Sequence, residues 1–345
     1  MIKSLTALRG IFILFIFFHH AGVYPGGGSM GVVFFFVLSD FSMTLGYHNR
    51  VFSDDFSYKQ YLTRRAIKFY PLHWITLLAN IPLTLMSALH WWLVPLFFVN
   101  AALLQTIVPV QEFYFSYNAV SWFLADILFF AVVFPFIIRK IAVMSRKKRA
   151  LMMLVGFTLY GIILLISYQL PDGVMKGIVY ISPFVRLFDF VFGILIGIDF
   201  LSLKEKPITN IFNKYGLSIT VGIVVVIFLL VIESFILSER ITLIAPLYWP
   251  LTAVLIMIAA LPDKLNLLEN KLLLRLGECS FTLFLVHRLV LRYTSKLLDI
   301  NNTIIYLSLC LVLTIVLSLL IERYILKPVT QWLTKRIQPS MTARL

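Results

Sequence analysis

Apolar residues come in long runs, and the runs repeat along almost the whole chain. They fall near 8–23, 30–47, 69–90, 92–108, 120–138, 151–170, 183–200, 216–234, 242–261, 279–298 and 303–325, eleven in all. A helix needs roughly 20 such residues to cross the hydrocarbon core of a bilayer. A spanning β-strand would instead alternate apolar and polar positions over short segments, and the sequence shows no such alternation. The pattern predicts an all-α, polytopic transmembrane helix bundle.

The polar punctuation between runs sets the topology. One loop carries Arg50, Lys59, Arg64, Arg65 and Lys68, and another runs from Arg139 to the cluster Arg146, Lys147, Lys148 and Arg149. Lys204, Lys206 and Lys214 mark a third, and Lys327, Lys335, Arg336 and Arg344 mark the C-terminal end. Lys and Arg collect in cytoplasmic loops. If all eleven runs cross, the Arg146 cluster faces away from the Arg64 cluster. If 92–108 does not cross, every basic loop lies on one side. The expected topology is therefore about ten spanning helices with both termini cytoplasmic. The stretch 91–119 then lies outside or forms a re-entrant segment. Its Trp91, Trp92, Tyr114 and Tyr117 suit an interface. Its Glu112, Ser116 and Asn118 either face an external substrate or line an ordinary interfacial loop. Residues 1–330 are expected to form one membrane domain, and 331–345 a short basic cytoplasmic tail.

Composition agrees. Hydrophobic residues make up 60% and charged residues 13% of the 345, against about 25% charged in soluble domains. Mean hydropathy is +0.93. The net charge of +14 sits in the loops between runs, so topology accounts for it and nucleic acid is not an expected partner. Cys279 and Cys310 lie in or beside predicted spans, which argues against a disulfide. No Cys/His spacing suggests a metal. Lys3 and the apolar run after it resemble a signal peptide. Residues 21–29 lack a small-residue cleavage pattern and Arg9 interrupts the run, so the first helix is expected to be retained.

Five groups of polar residues could carry chemistry. Arg9 and His20 are eleven residues apart on the first predicted helix. That spacing is about three turns, so the two share a face roughly 16 Å apart along the axis. Ionisable groups in spans usually mark a pathway or site. A snorkelling Arg and an interfacial His are the alternative. His20 suits general-base work or covalent acyl capture, while the adjacent His19 points about 100° away. Ser39 and Asp40 interrupt the second run. Arg65 and Lys68, three apart, share a face near Pro71, which is expected near a helix start. They suit phosphate binding or serve as topogenic charge. Arg186 and Asp189 are spaced to pair on a helix, and Gly193 and Gly197 are spaced for close helix packing. His287 lies near a span end, where an interfacial role is the default.

Taken in order, these residues resemble the acyltransferase-3 family of integral-membrane O-acyltransferases. The matching segments are Leu8-Arg9-Gly10 with His20, residues 31–41, Arg65 to Pro71, Trp122 to Pro135, residues 186–197 and Ser280 to His287. They cover nearly the whole chain. The resemblance implies transfer of an acyl group, usually acetyl, from cytoplasmic acyl-CoA to a hydroxyl of a cell-surface polysaccharide or its lipid-linked precursor. It implies His20 as general base or transient acyl carrier, Arg9 as positioner of the donor, and Arg65 and Lys68 at the CoA phosphates. Ser39, Arg186 and Asp126 would support the substrate. Acetyl-CoA or another acyl-CoA would be the donor substrate, with no bound cofactor and no metal, in the plasma (inner) membrane.

Four positions depart from the family pattern. Lys68 stands for an Arg, and Asp40 for a Gly. Asp126 precedes by one residue the place of a Glu, where Ile127 stands. Phe281 and Phe284 stand for tyrosines. Two other readings remain: an exporter or permease of a small solute, and a catalytically weakened scaffold in polysaccharide assembly.

Overall fold

A computed structural model describes residues 2–24, 26–87, 90–204, 216–237, 240–261 and 268–337. Lys206, Lys214 and the tail from 338, including Arg344, lie outside the described residues. Every regular element among those described is helical. The principal helices are α1 (Lys3–His20), α2 (Gly27–Tyr47), α3 (Tyr58–Ser87), α4 (Leu93–Ala101), α5 (Ser121–Ala142), α6 (Arg146–Ser167) and α7 (Pro183–Lys204). They continue with α8 (Gly216–Ile236), α9 (Trp249–Ala260), α10 (Lys271–Glu278), α11 (Ser280–Leu297), α12 (Thr303–Ile321) and α13 (Lys327–Ile337). A π turn, Glu322–Leu326, joins the last two, so one helical rod runs through the 330/331 boundary.

Five helical stretches among the described residues are long and apolar enough to cross a membrane: Gly27–Tyr47, Ser121–Ala142, Arg146–Ser167, Ser218–Ile236 and Thr303–Ile337. The others fall short for visible reasons. Helix α1 carries Lys3, Arg9, His19 and His20, α7 carries Arg186, Asp189, Asp199 and Lys204, and α11 carries Arg288, Arg292 and Lys296. Helix α9 has only 12 residues. The 92–108 run yields the nine-residue α4, which at 1.5 Å per residue is far too short to cross.

The chain divides into two compact units. The first comprises Met1–Phe56 and Val133–Glu278. In it α2 packs along α7, α1 packs on α2 and α10, and α8 packs on α9. Its core includes Leu8, Phe12, Phe34, Val37, Phe41, Phe200, Trp249 and Leu255, with Phe12 stacked on Phe34 at 3.7 Å between centroids. Close approach of α2 and α7 depends on the two glycines spaced for it. A Cβ at Gly193 would stand 2.7 Å from Asp40 Cβ, and one at Gly197 would stand 2.7 Å from Thr44 Cβ.

The second unit comprises Ser57–Val132 and Cys279–Leu345. Here α3 packs on α11 and α13, and α11 packs on α12. Helix α3 begins at Tyr58, eleven residues before the apolar run at 69. Pro71 therefore lies inside a helix, together with Pro82, and not near a helix start. Lys59, Arg64, Arg65 and Lys68 extend the helix in its polar first half because long straight side chains are good helix formers.

Candidate functional site

In the first unit the local sequence fixes where His20 stands. Gly22 adopts φ +80, a left-handed conformation open to glycine. Val23 N–H donates to Phe18 O and Gly22 N–H to His19 O, each at 3.0 Å. This is the Schellman closure of a helix, and it makes His20 the last residue of α1. His20 Nδ1 lies 3.0 Å from Ile16 O. A carbonyl only accepts, so Nδ1 is the donor and Nε2 of the neutral ring keeps its lone pair. That is the form a general base needs. His19 takes a different path: a Cβ at Gly28 would stand 2.4 Å from its Cδ2, so its ring lies against the start of α2. The two rings meet edge to face at 4.9 Å. Arg9 is half-buried between Leu8 and Gly10, both buried. On α2, Ser39 is half-buried and Asp40 buried.

Arg186 and Asp189 are buried and form a 2.8 Å ion pair. Arg186 Nε donates to Tyr180 O at 2.7 Å, and the guanidinium lies 4.5 Å from the centroid of the Tyr180 ring and 5.4 Å from that of Phe36. The Trp249 indole N–H donates to Asp189 Oδ1. The pair is thus braced by three further elements.

In the second unit Arg65 and Lys68 lie on one face of α3, Arg65 half-buried and Lys68 exposed. The Arg65 guanidinium sits 5.3 Å from the Tyr61 ring centroid. Asp126 is buried on α5. Arg9, His20, Ser39 and Arg186 thus belong to one unit, and Arg65, Lys68 and Asp126 to the other.

The stretch 91–119 differs from an interfacial loop. Asn100, Gln105, Thr106, Tyr114 and Asn118 are all buried. Asn118 turns inward, its amide donating to Leu285 O at 3.1 Å. Ser116 Oγ accepts from Asn100 Nδ2 and donates to Phe113 O, each at 2.6 Å. Of Glu112, Ser116 and Asn118, read as facing an external substrate or lining an interfacial loop, only Glu112 is exposed. Leu103 and Tyr117 take positive φ of 57 and 53. Non-glycine residues rarely adopt this conformation, and it persists where surroundings over-determine it. Tyr117 O–H donates to Leu93 O at 2.7 Å, which holds the segment closed.

Several further polar groups of this unit are buried or half-buried. His73 Nε2 donates to Asn100 O at 2.8 Å. Arg292 donates to Asn80 Oδ1 at 3.2 Å. His287, expected at an interface, is buried, with Nδ1 3.2 Å from Leu283 O. The signal was present: His73 and Asn80 interrupt an apolar run, as His20 does, and polar groups in spans are rarely idle. No group of three His, Cys, Asp or Glu side chains among the described residues could hold a metal ion.

These features define an all-helical membrane protein with ionisable and basic side chains set into its helices. The acyltransferase-3 family model, an acyltransferase domain, matches residues 2–323. The chain belongs to that family, and its activity in general is acyl transfer at a membrane. No curated protein and no solved structure matches the chain.

Proposed function

We propose that the protein transfers an acetyl or other acyl group from cytoplasmic acyl-CoA to a hydroxyl of a cell-surface glycan or its lipid-linked precursor. The observation that carries this reading is the ring of His20, whose Nδ1–H is committed to Ile16 O and whose Nε2 keeps a lone pair. Such a nitrogen can take the proton of an attacking hydroxyl, or attack the thioester and hold the acyl group as an acyl-imidazole before the hydroxyl receives it. Arg9, on the same helix, would position the donor. Arg65 and Lys68 would bind the CoA phosphates, Arg65 in bidentate fashion and Lys68 as a point charge. Ser39, Arg186 and Asp126 would support the substrate.

In this reading residues 1–330 act as one membrane domain in the plasma (inner) membrane, with about ten crossings and both termini cytoplasmic. In such a bundle the Arg186–Asp189 charges of α7 are tolerated because they are buried in protein and paired with each other. Membranes carrying the protein, given labelled acetyl-CoA, should pass label to surface glycan above the level of membranes without it. Acetyl-CoA binding with no transfer to any glycan fraction would contradict the proposed acceptor. Absence of both binding and transfer would contradict the donor.

A further inference from the structure

We propose that the cavity between α3, α11 and α12 is a binding site for one hydrocarbon chain of an anionic membrane phospholipid. The cavity lies wholly within the second unit and holds about 460 Å³. That volume falls in the range of small-molecule sites, roughly 300–1,000 Å³. Its wall is Leu, Ile, Val and Ala except for Thr76, Tyr293 and Thr294. Thr76 Oγ1 donates to His73 O at 3.1 Å, and Tyr293 O–H donates to Ala79 O at 2.8 Å. Both hydroxyls are therefore already used within the protein.

An apolar cavity offers water no partners and stays dry, and an empty one forfeits the dispersion contacts of its lining. An apolar occupant satisfies both conditions. Its source follows from where the cavity opens. Leu297, Leu298 and Leu317 line it and are 71%, 47% and 40% exposed. Leu317 belongs to the stretch Thr303–Ile337, which is long and apolar enough to cross a membrane yet little buried. The exposed face of such a helix meets lipid, so the cavity opens sideways into the bilayer. Its dimensions fit a lipid chain. Along α11 the lining runs from Val286 to Leu297, roughly 16 Å at the helical rise. One leaflet of the hydrocarbon core is roughly 15 Å deep.

The mouth also carries a cation. Lys296 is exposed, next in sequence to Leu297 and Leu298. It forms no ion pair among the described residues, with Asp299 or any other carboxylate. A lysine near the end of a membrane helix extends its ammonium to the headgroup level. There it favours an anionic headgroup over a zwitterionic one. One lipid can therefore place its chain in the cavity and its phosphate at Lys296.

The test uses the purified full chain in nanodiscs of phosphatidylcholine with a trace of phosphatidylglycerol that carries a photoreactive diazirine on one acyl chain. After illumination, adducts are mapped by peptide mass spectrometry. Labelling of 286–298 and 313–321 should exceed, at least fivefold per residue, that of the exposed apolar positions Leu154, Leu165 and Ile166 on α6. Ala79→Phe and Leu313→Trp fill the cavity from different helices, so either remains informative if the other does not fold. Each should abolish the excess and leave the α6 adducts unchanged. Lys296→Gln should reduce it. Equal labelling of cavity and α6, or an excess that survives filling, would overturn the site. An undiminished excess in Lys296→Gln would overturn the anionic headgroup. Displacement of the label by palmitoyl-CoA but not by unlabelled phosphatidylglycerol would overturn the phospholipid as occupant and assign the cavity to the chain of an acyl donor.

Discussion

The placement of the His20 ring depends on neighbours four residues before it and two after it. Ile16 O fixes the tautomer, and Gly22 ends the helix so that the ring is the last on α1. Gly22→Val would strain the left-handed closure and displace the ring, so acyl transfer should fall while acyl-CoA binding persists; an unchanged transfer rate would show that the closure does not position His20. Arg186 makes a second residue-scale prediction. Its charge is buried against Asp189, and removing one partner of such a pair typically costs about 3–5 kcal/mol. Arg186→Met should lower the thermal midpoint sharply, and Arg186→Met with Asp189→Leu should recover part of the loss. Equal midpoints for the single variant and wild type would mean that the pair contributes little. The pairing was legible in the sequence because i,i+3 spacing on a helix leaves few alternatives. The bracing by Tyr180 and Trp249 was not, since nothing in the spacing connects positions so far apart in sequence.

Among the elements, the contact of α2 with α7 rests on Gly193 and Gly197. A valine at 193 would meet Asp40 Cβ and Val37 O at 2.7 and 2.8 Å, an overpacking that usually costs about 1–3 kcal/mol. Gly193→Val should therefore lower the thermal midpoint, and a midpoint at or above wild type would contradict the close packing. The GxxxG spacing announced this contact. The start of α3 was harder to read, because apolar runs report where a helix is buried and not where it begins. Polar residues 58–68 continue the helix outside the run, which moved Pro71 from a start into the interior. The segment 91–119 was legible as a non-crossing element because of the basic loops around it. Its buried carboxamides were not, since Asn and Gln in a loop sequence read as solvent-facing until their partners are seen.

For the whole molecule, the chain makes two compact units while the family model runs through both, from residue 2 to 323. A continuous hydropathy pattern carries no sign of that division, because both units bury the same kinds of side chain. The ten-crossing topology predicts that an impermeant thiol reagent on intact cells labels Glu112→Cys and spares Lys147→Cys; the reverse pattern would contradict it. Acyl transfer through His20 makes the sharpest prediction. The most direct test compares wild type, His20→Ala and His19→Ala at equal protein level, following label from acetyl-CoA into surface glycan. Wild type should transfer label, His20→Ala should lose at least about 100-fold, the scale of a lost general base, and His19→Ala should lose much less. Equal transfer by wild type and His20→Ala would contradict transfer through His20.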